Sequence, residues 1–180
     1  MVNAVFTDEM IEILRTMKGK TLKSYECESG ERWNHPYGCV RLNLGEYAVD
    51  LTNEVHDLEF FGRIEDIPYF ECEKKELSDP FRWNKKTEAY MVDEKIKEVV
   101  IVTDEIDIPL EKYSIVTNRA VILRCEYNYY VFDREWYYGE LIFIKIGKTM
   151  PELYSTEKVA YDWGDDGKNE TIVKRTMTTL

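Results

Sequence analysis

A chain of 180 residues, 44% hydrophobic and 33% charged, can bury a core without disulfides or metal, because folded chains of this size hide roughly 70% of the surface they expose when unfolded. Its formal net charge of −11, from 35 acidic against 24 basic side chains, opposes phosphate backbones and anionic lipid headgroups, so nucleic acid and membrane surfaces are excluded as expected partners and basic proteins are favoured. No apolar stretch of about 18 residues occurs, Thr7, Asp8 and Glu9 interrupt any leader-like run, and Cys27, Cys39, Cys72 and Cys125 form no CxxC pair. The expectation is one domain over residues 1–180, in a reducing cytoplasm, with buried thiols and with no metal or cofactor.

The first element is a helix. Thr7 caps it, Asp8 and Glu9 complement the positive end of its dipole, Phe6 and Ile11 are spaced as a hydrophobic staple, and Gly19 follows as the stop. Met10, Leu14 and Met17 recur at i, i+4 and i+7, an apolar stripe suited to covering a sheet.

Beyond Gly19 the period changes to two. Thr21–Glu28, Cys39–Asn43, residues 46–52, residues 58–61 and residues 67–73 read as short strands, punctuated by Ser29-Gly30, Gly45, Asn53 and Gly62. The polar stretch 74–86 reads as a loop that folds back on the body through Phe81 and Trp83. Residues 93–97 read as a helical turn.

The second half is more strongly β. Residues 99–103, 113–116, 120–126, 129–132 and 140–146 are strand-like, bounded by the acidic run Asp104 to Asp107 and by Asn118, Asn128, Gly139 and Gly147. Val159 and Tyr161 before Asp165-Asp166-Gly167, with Ile172 and Val173 after it, suggest a terminal hairpin. Short spacings favour antiparallel hairpins, so the expected fold is α+β: mainly antiparallel sheet, as an incomplete barrel or two layers, with one N-terminal helix packed on it.

Six of the ten residues from Tyr129 to Tyr138 are aromatic. On strands, Tyr130, Phe132, Trp136 and Tyr138 fall on one face and Tyr129 and Tyr137 on the other. One face is core, with Phe132 in it; the other needs a cover or a partner, which makes Trp136, Tyr137 and Tyr138 candidate binding residues. Nine acids against three bases between Glu54 and Asp79 supply six of the eleven excess negative charges. Glu71, Glu73 and Glu76 within that window are candidates for contact with a basic partner, although such an excess also serves simply as a solvated face.

Other constellations have plainer explanations. Asp133, Glu135 and Glu140 beside aromatic rings could furnish a glycosidase-like carboxylate pair, but acids flanking Arg134 at a hairpin tip are ordinarily solvated. His35 and His56 with Cys39 supply the parts of a Cys–His pair without its signature, and His35-Pro36 fits a turn. Asp162 to Glu170 resembles a calcium loop, but Gly164 and Val173 stand where ligands are needed. No phosphate-binding glycine loop, HExxH helix or GxSxG elbow is present. The expected function is a protein-interaction module, of inhibitor or immunity type, that meets a basic partner. The alternatives are a small-ligand or sugar-binding β domain with an aromatic pocket and a carboxylate-dependent hydrolase.

Overall fold

The computed structural model describes residues 1–28, 38–82, 86–135 and 139–180. The elements run β1 (Val2–Ala4), α1 (Asp8–Thr16), β2 (Thr21–Glu28), β3 (Cys39–Asn43), β4 (Ala48–Phe60), β5 (Arg63–Lys75), β6 (Thr87–Lys95), β7 (Glu98–Ile108), β8 (Tyr113–Arg124), β9 (Tyr129–Asp133), β10 (Phe143–Gly147), α2 (Thr156–Trp163) and β11 (Ile172–Thr179). One sheet has the order β5-β4-β3-β2-β6 and the other β10-β9-β8-β7-β11, with β1 added in parallel beside β8. The expected α+β class holds, as two mainly antiparallel sheets with, among the described residues, no closed barrel.

The main core lies between the sheets and under α1. Alternate residues Val40, Leu42, Val49, Leu51 and Phe70 from the first sheet join Val99, Ile101, Val121, Leu123, Tyr130 and Phe132 from the second, as period-two strands with one buried face require. Phe132 is core as expected, and Tyr129 packs on the opposite face. Helix α1 forms as the sequence dictates: the Thr7 hydroxyl accepts from the Met10 N–H, and Leu14 and Met17 are fully buried.

Loop 76–82 folds back. Arg41 makes a bidentate pair with its cross-strand neighbour Asp50 at 2.7 and 2.8 Å, donates to the carbonyls of Asp79 and Pro80, and lies over the Phe81 ring. Trp83, the histidine turn at 33–37 and the Ser29-Gly30 turn lie outside the described residues.

Several elements differ from the sequence expectation. The expected strands at 46–52 and 58–61 merge into one 13-residue strand, β4, and that at 67–73 lies within another, β5, the two joined by Phe61-Gly62. Asn53 and Asn118 are not turns. Asn53 sits inside β4 and donates its amide to the Gly139 carbonyl; Asn118 sits inside β8, accepts from the Phe6 N–H and donates to Thr103 Oγ1. Each side chain supplies hydrogen bonds at a junction between segments, a role that residue preference for turns does not reveal. The acidic run 104–107 continues β7. Residues 93–95 end β6 rather than forming a helical turn: Asp93 has φ +59° at a bulge, and Glu94 is held by four donors on the 127–130 hairpin.

Of the expected terminal hairpin, the second arm is a strand, β11, but the first is the helix α2. Ser155 caps it by accepting from the Lys158 N–H, and Val159 and Trp163, one turn apart, are the buried pair. Val159 and Tyr161 alternate as a strand would, but Val159 is buried and Tyr161 exposed on the helix. The turn at Asp165-Asp166-Gly167 does form, with positive φ at all three residues.

What holds the segment before α2 is a row of charge on the outer face of the second sheet, buried at its centre and half-buried at its two ends. Lys145, Asp133, Arg119, Asp104 and Arg175 come from five adjacent strands, in alternating sign. Arg119 is the extra residue of a bulge, because Ala120 pairs with Val102 while Asn118 pairs with Thr103. Its Nε donates to Asp104 at 3.1 Å, and Arg175 grips the same carboxylate at 2.7 and 2.8 Å. Tyr154 straps the row: its N–H donates to Asp133, its carbonyl accepts from Arg175, and its ring lies against Arg119. Burial and the hydrogen bond to Asp162 push the Tyr154 hydroxyl up to about 12.

Candidate functional site

The hairpin β4–β5 forms a long arm, and its turn fixes its register. With a two-residue loop at 61–62, Phe60 pairs with Arg63, Glu59 with Ile64, Leu58 with Glu65, Asp57 with Asp66, His56 with Ile67 and Val55 with Pro68. Phe61 and Gly62 both have positive φ, +52° and +82°, the conformation of a type I′ turn.

Because strand residues alternate, the outer half of the arm has two unlike faces. One carries Leu58, Phe60, Ile67 and Tyr69 into a second core with Ile106, Ile108, Tyr113 and Ile115 of the second sheet and Val159 and Trp163 of α2. Arg134 ties the arm down from the end of β9 by donating to the Pro68 carbonyl at 2.5 Å. Burial depresses its pKa to about 9, which still leaves it a cation at neutral pH.

The other face carries Val55, Asp57 and Glu59 on β4 and Ile64 and Asp66 on β5, all exposed. It contains three carboxylates, no base, and two apolar side chains at 45% and 64% exposure. Asp57 and Asp66 are directly opposed. Like charges in that position destabilise a sheet pair, so this face is not arranged for the stability of the arm.

The acids singled out from sequence lie elsewhere. Glu71 and Glu73 are on the face of β5 opposite to Asp66, and both line a cleft of about 270 Å³ with Thr7, Met10 and Arg82. Glu71 sits 3.6 Å from His56 Nε2, whose ring stacks on Tyr69 at 4.1 Å, and Glu73 pairs with Lys75 at 2.6 Å. Glu76 lies past the end of β5, where its N–H donates to Asp79. Next to Glu71, burial raises the Glu54 pKa and the neighbouring Glu71 charge adds to it, while the Arg82 guanidinium at 2.6 Å opposes the shift. Trp136, Tyr137 and Tyr138 lie outside the described residues. Asp57, Glu59 and Asp66 share one solvent-facing surface of the arm. The signal that could have found them is Phe61-Gly62 read as a two-residue turn, since it sets Asp57 against Asp66.

The other constellations resolve into structural pairings. Asp133 is fully buried, and Lys145 bridges it to Glu135 at 2.7 and 3.2 Å, so these two carboxylates do not face each other across a cleft. All four cysteines are free and buried. Asp162 accepts from the Tyr154 hydroxyl and Asp165 pairs with Lys168. Among the described residues no group of three or more His, Cys, Asp or Glu side chains is placed to hold a metal ion, and no helix is long and apolar enough to cross a membrane.

A second cleft opens where the arm's turn meets the end of α2. It measures about 300 Å³ and is lined by Phe60, Phe61, Arg63, Glu111, Trp163, Asp165 and Asn169. Phe60, Phe61 and Trp163 form its aromatic wall, and the Tyr113 ring packs against all three, with centroids in the cluster 4.4 to 6.2 Å apart.

Comparison of the chain with protein-family models, curated proteins and solved structures finds no match.

Proposed function

We propose that this chain is a protein-interaction module that docks a basic partner on the exposed face of the β4–β5 arm, in the manner of an inhibitor or immunity factor, in a reducing cytoplasm. The observation that carries the reading is the Asp57–Asp66 pair: two carboxylates directly opposed on a face that also holds Glu59, exposed Val55 and exposed Ile64, and no base. A cationic partner converts that repulsion into attraction, and the two aliphatic side chains offer the apolar contact that steering alone lacks. The surplus of acid in the whole chain acts in the same direction at long range. Four free, buried thiols support the reducing compartment.

The test is site-specific photo-crosslinking in native cell extract. A photoreactive residue replacing Ile64 should capture a basic protein, and the same residue replacing Met91, exposed on the edge strand β6, should not. The Asp57→Asn/Asp66→Asn double variant should lose the adduct. A partner captured equally from both positions, or an acidic partner, would sink the proposal.

A further inference from the structure

We propose that the cleft between the arm's turn and α2 is a binding site for a neutral saccharide. This site is separate from the acidic face: Phe60 and Arg63, which line the cleft, point to the opposite side of the arm from Asp57 and Asp66.

The lining selects the ligand class. Phe61, half-buried, presents a ring at the cleft, with Phe60 and Trp163 behind it, so an occupant needs an apolar face to lie on. Around them stand Arg63, which can only donate hydrogen bonds; Glu111 and Asp165, which as carboxylates can only accept; and Asn169, which does both. An apolar ligand would strip water from four polar side chains and return nothing. Arg63 already pairs with Glu65 at 3.0 Å and Asp165 with Lys168 at 2.9 Å, so neither an anion nor a cation finds an unanswered counter-charge on those two residues. A pyranose suits this lining, because its hydroxyls both donate and accept around a ring edge and can add to such pairs, while its C–H face stacks on an aromatic. The volume, about 300 Å³, lies at the lower end of the range for small-ligand sites.

The turn residue points the same way. Position 61 has φ +52°, where asparagine, aspartate or glycine is the usual first residue of a type I′ turn and a bulky side chain is out of place. Phenylalanine there puts its ring 4.4 Å from Tyr113 and 4.5 Å from Phe60, completing the aromatic wall at the mouth of the cleft.

Phe61→Asn is therefore a discriminating variant: asparagine suits the backbone conformation and removes only the ring. The full-length protein is applied to an array of neutral oligosaccharides, and the hits are measured by saturation-transfer NMR and titration. The expected result is binding of at least one neutral glycan with saturation strongest on the protons of one ring face. Phe61→Asn should weaken that binding by about tenfold or more with the fold retained, and Glu111→Gln should weaken it also. Asp57→Asn/Asp66→Asn should leave glycan binding unchanged, so failure of the arm-face reading and failure of this one are told apart. Absence of any neutral glycan bound by the wild-type chain, or binding indifferent to Phe61→Asn, would overturn the assignment.

Discussion

Arg119, the one residue that β8 has in excess of β7, donates from Nε to Asp104 at 3.1 Å on the neighbouring strand. The bulge thus places a guanidinium at the middle of a five-strand row of alternating charge, and its Nη1 reaches on to the carbonyls of Arg134 and Glu135. A buried charge left without its counter-charge is costly, whereas one that keeps a second partner is less so.

The order of stability losses in this row follows from that. Asp104→Asn leaves Arg119 and Arg175 facing each other across a neutral side chain, and should cost about 3–5 kcal/mol in urea unfolding. Arg119→Met leaves Asp104 still gripped by Arg175, so its cost should be smaller; Arg175→Met, at one end of the row and less buried than Arg119, should cost least. Equal losses for all three would show that the row does not act through charge pairing.

The acid limb of the stability curve should report Glu94. Burial opposes its ionisation, but the Asn128 amide, the Tyr127 N–H, the Tyr130 hydroxyl and the Asn128 N–H all donate to the carboxylate, and the balance holds its pKa below the ordinary value. A carboxyl depressed by folding contributes stability above its unfolded pKa and loses it as pH falls through the folded value. Glu94→Gln should therefore destabilise the protein by about 1.5–3 kcal/mol at neutral pH, and the difference from wild type should shrink below pH about 4.5. A difference that stays constant down to strong acid would argue against this role.

The alkaline limb has the opposite sign. Burial is the main cause that pushes the thiols of Cys27 to about 11 and of Cys72 and Cys125 to about 12, and it raises Cys39 as well. An acid whose pKa is raised by folding stabilises fully below its unfolded value and loses that contribution as pH rises through the folded one. Stability should fall from pH 9 upward, and alkylation of all four thiols at pH 8 should occur only through unfolding, at a rate that follows denaturant concentration. Rapid labelling of any one thiol in the native protein would contradict its burial.

The parts of this fold that were legible in sequence are those where local preference and tertiary role agree. Thr7, Leu14 and Met17 announce α1, and Val99 to Thr103 announce β7, because cap, stripe and β-branched run serve the same element that buries them. Asn53 and Asn118 mislead because their amides bridge segments far apart in the chain, which no local signal records. Ser155 caps α2 as Thr7 caps α1, but the alternation of Val159, Tyr161 and Trp163 after it imitates a strand. The charged row was invisible for another reason: Asp104, Arg119, Asp133, Lys145 and Arg175 are scattered over 72 positions, and only the strand order β10-β9-β8-β7-β11 lines them up. The acidic face of the arm was half legible. Its charge excess is plain in composition, but which acids share a surface depends on the register that Phe61-Gly62 imposes.

That register makes the arm a place where stability and recognition pull apart. Asp57→Lys replaces a like-charge pair with an opposite-charge pair against Asp66, a change that should stabilise the hairpin by about 0.2–1 kcal/mol, because both positions are exposed and nothing else in the pairing moves. The same substitution should slow association with a basic partner captured at the arm, and should flatten the dependence of the association rate on ionic strength, since steering acts over a Debye length of about 8–10 Å. Neutralising Glu71, Glu73 and Glu76 together is the control: these acids lie away from the arm's exposed face, so the triple variant should lower the rate less than Asp57→Lys does. Stopped-flow association measured at low and high salt, with thermal unfolding of each variant alongside, separates the outcomes. A variant at Asp57 that is less stable, or a triple variant that slows association more, would move the docking surface from Asp57 and Asp66 to the cleft beside Glu71.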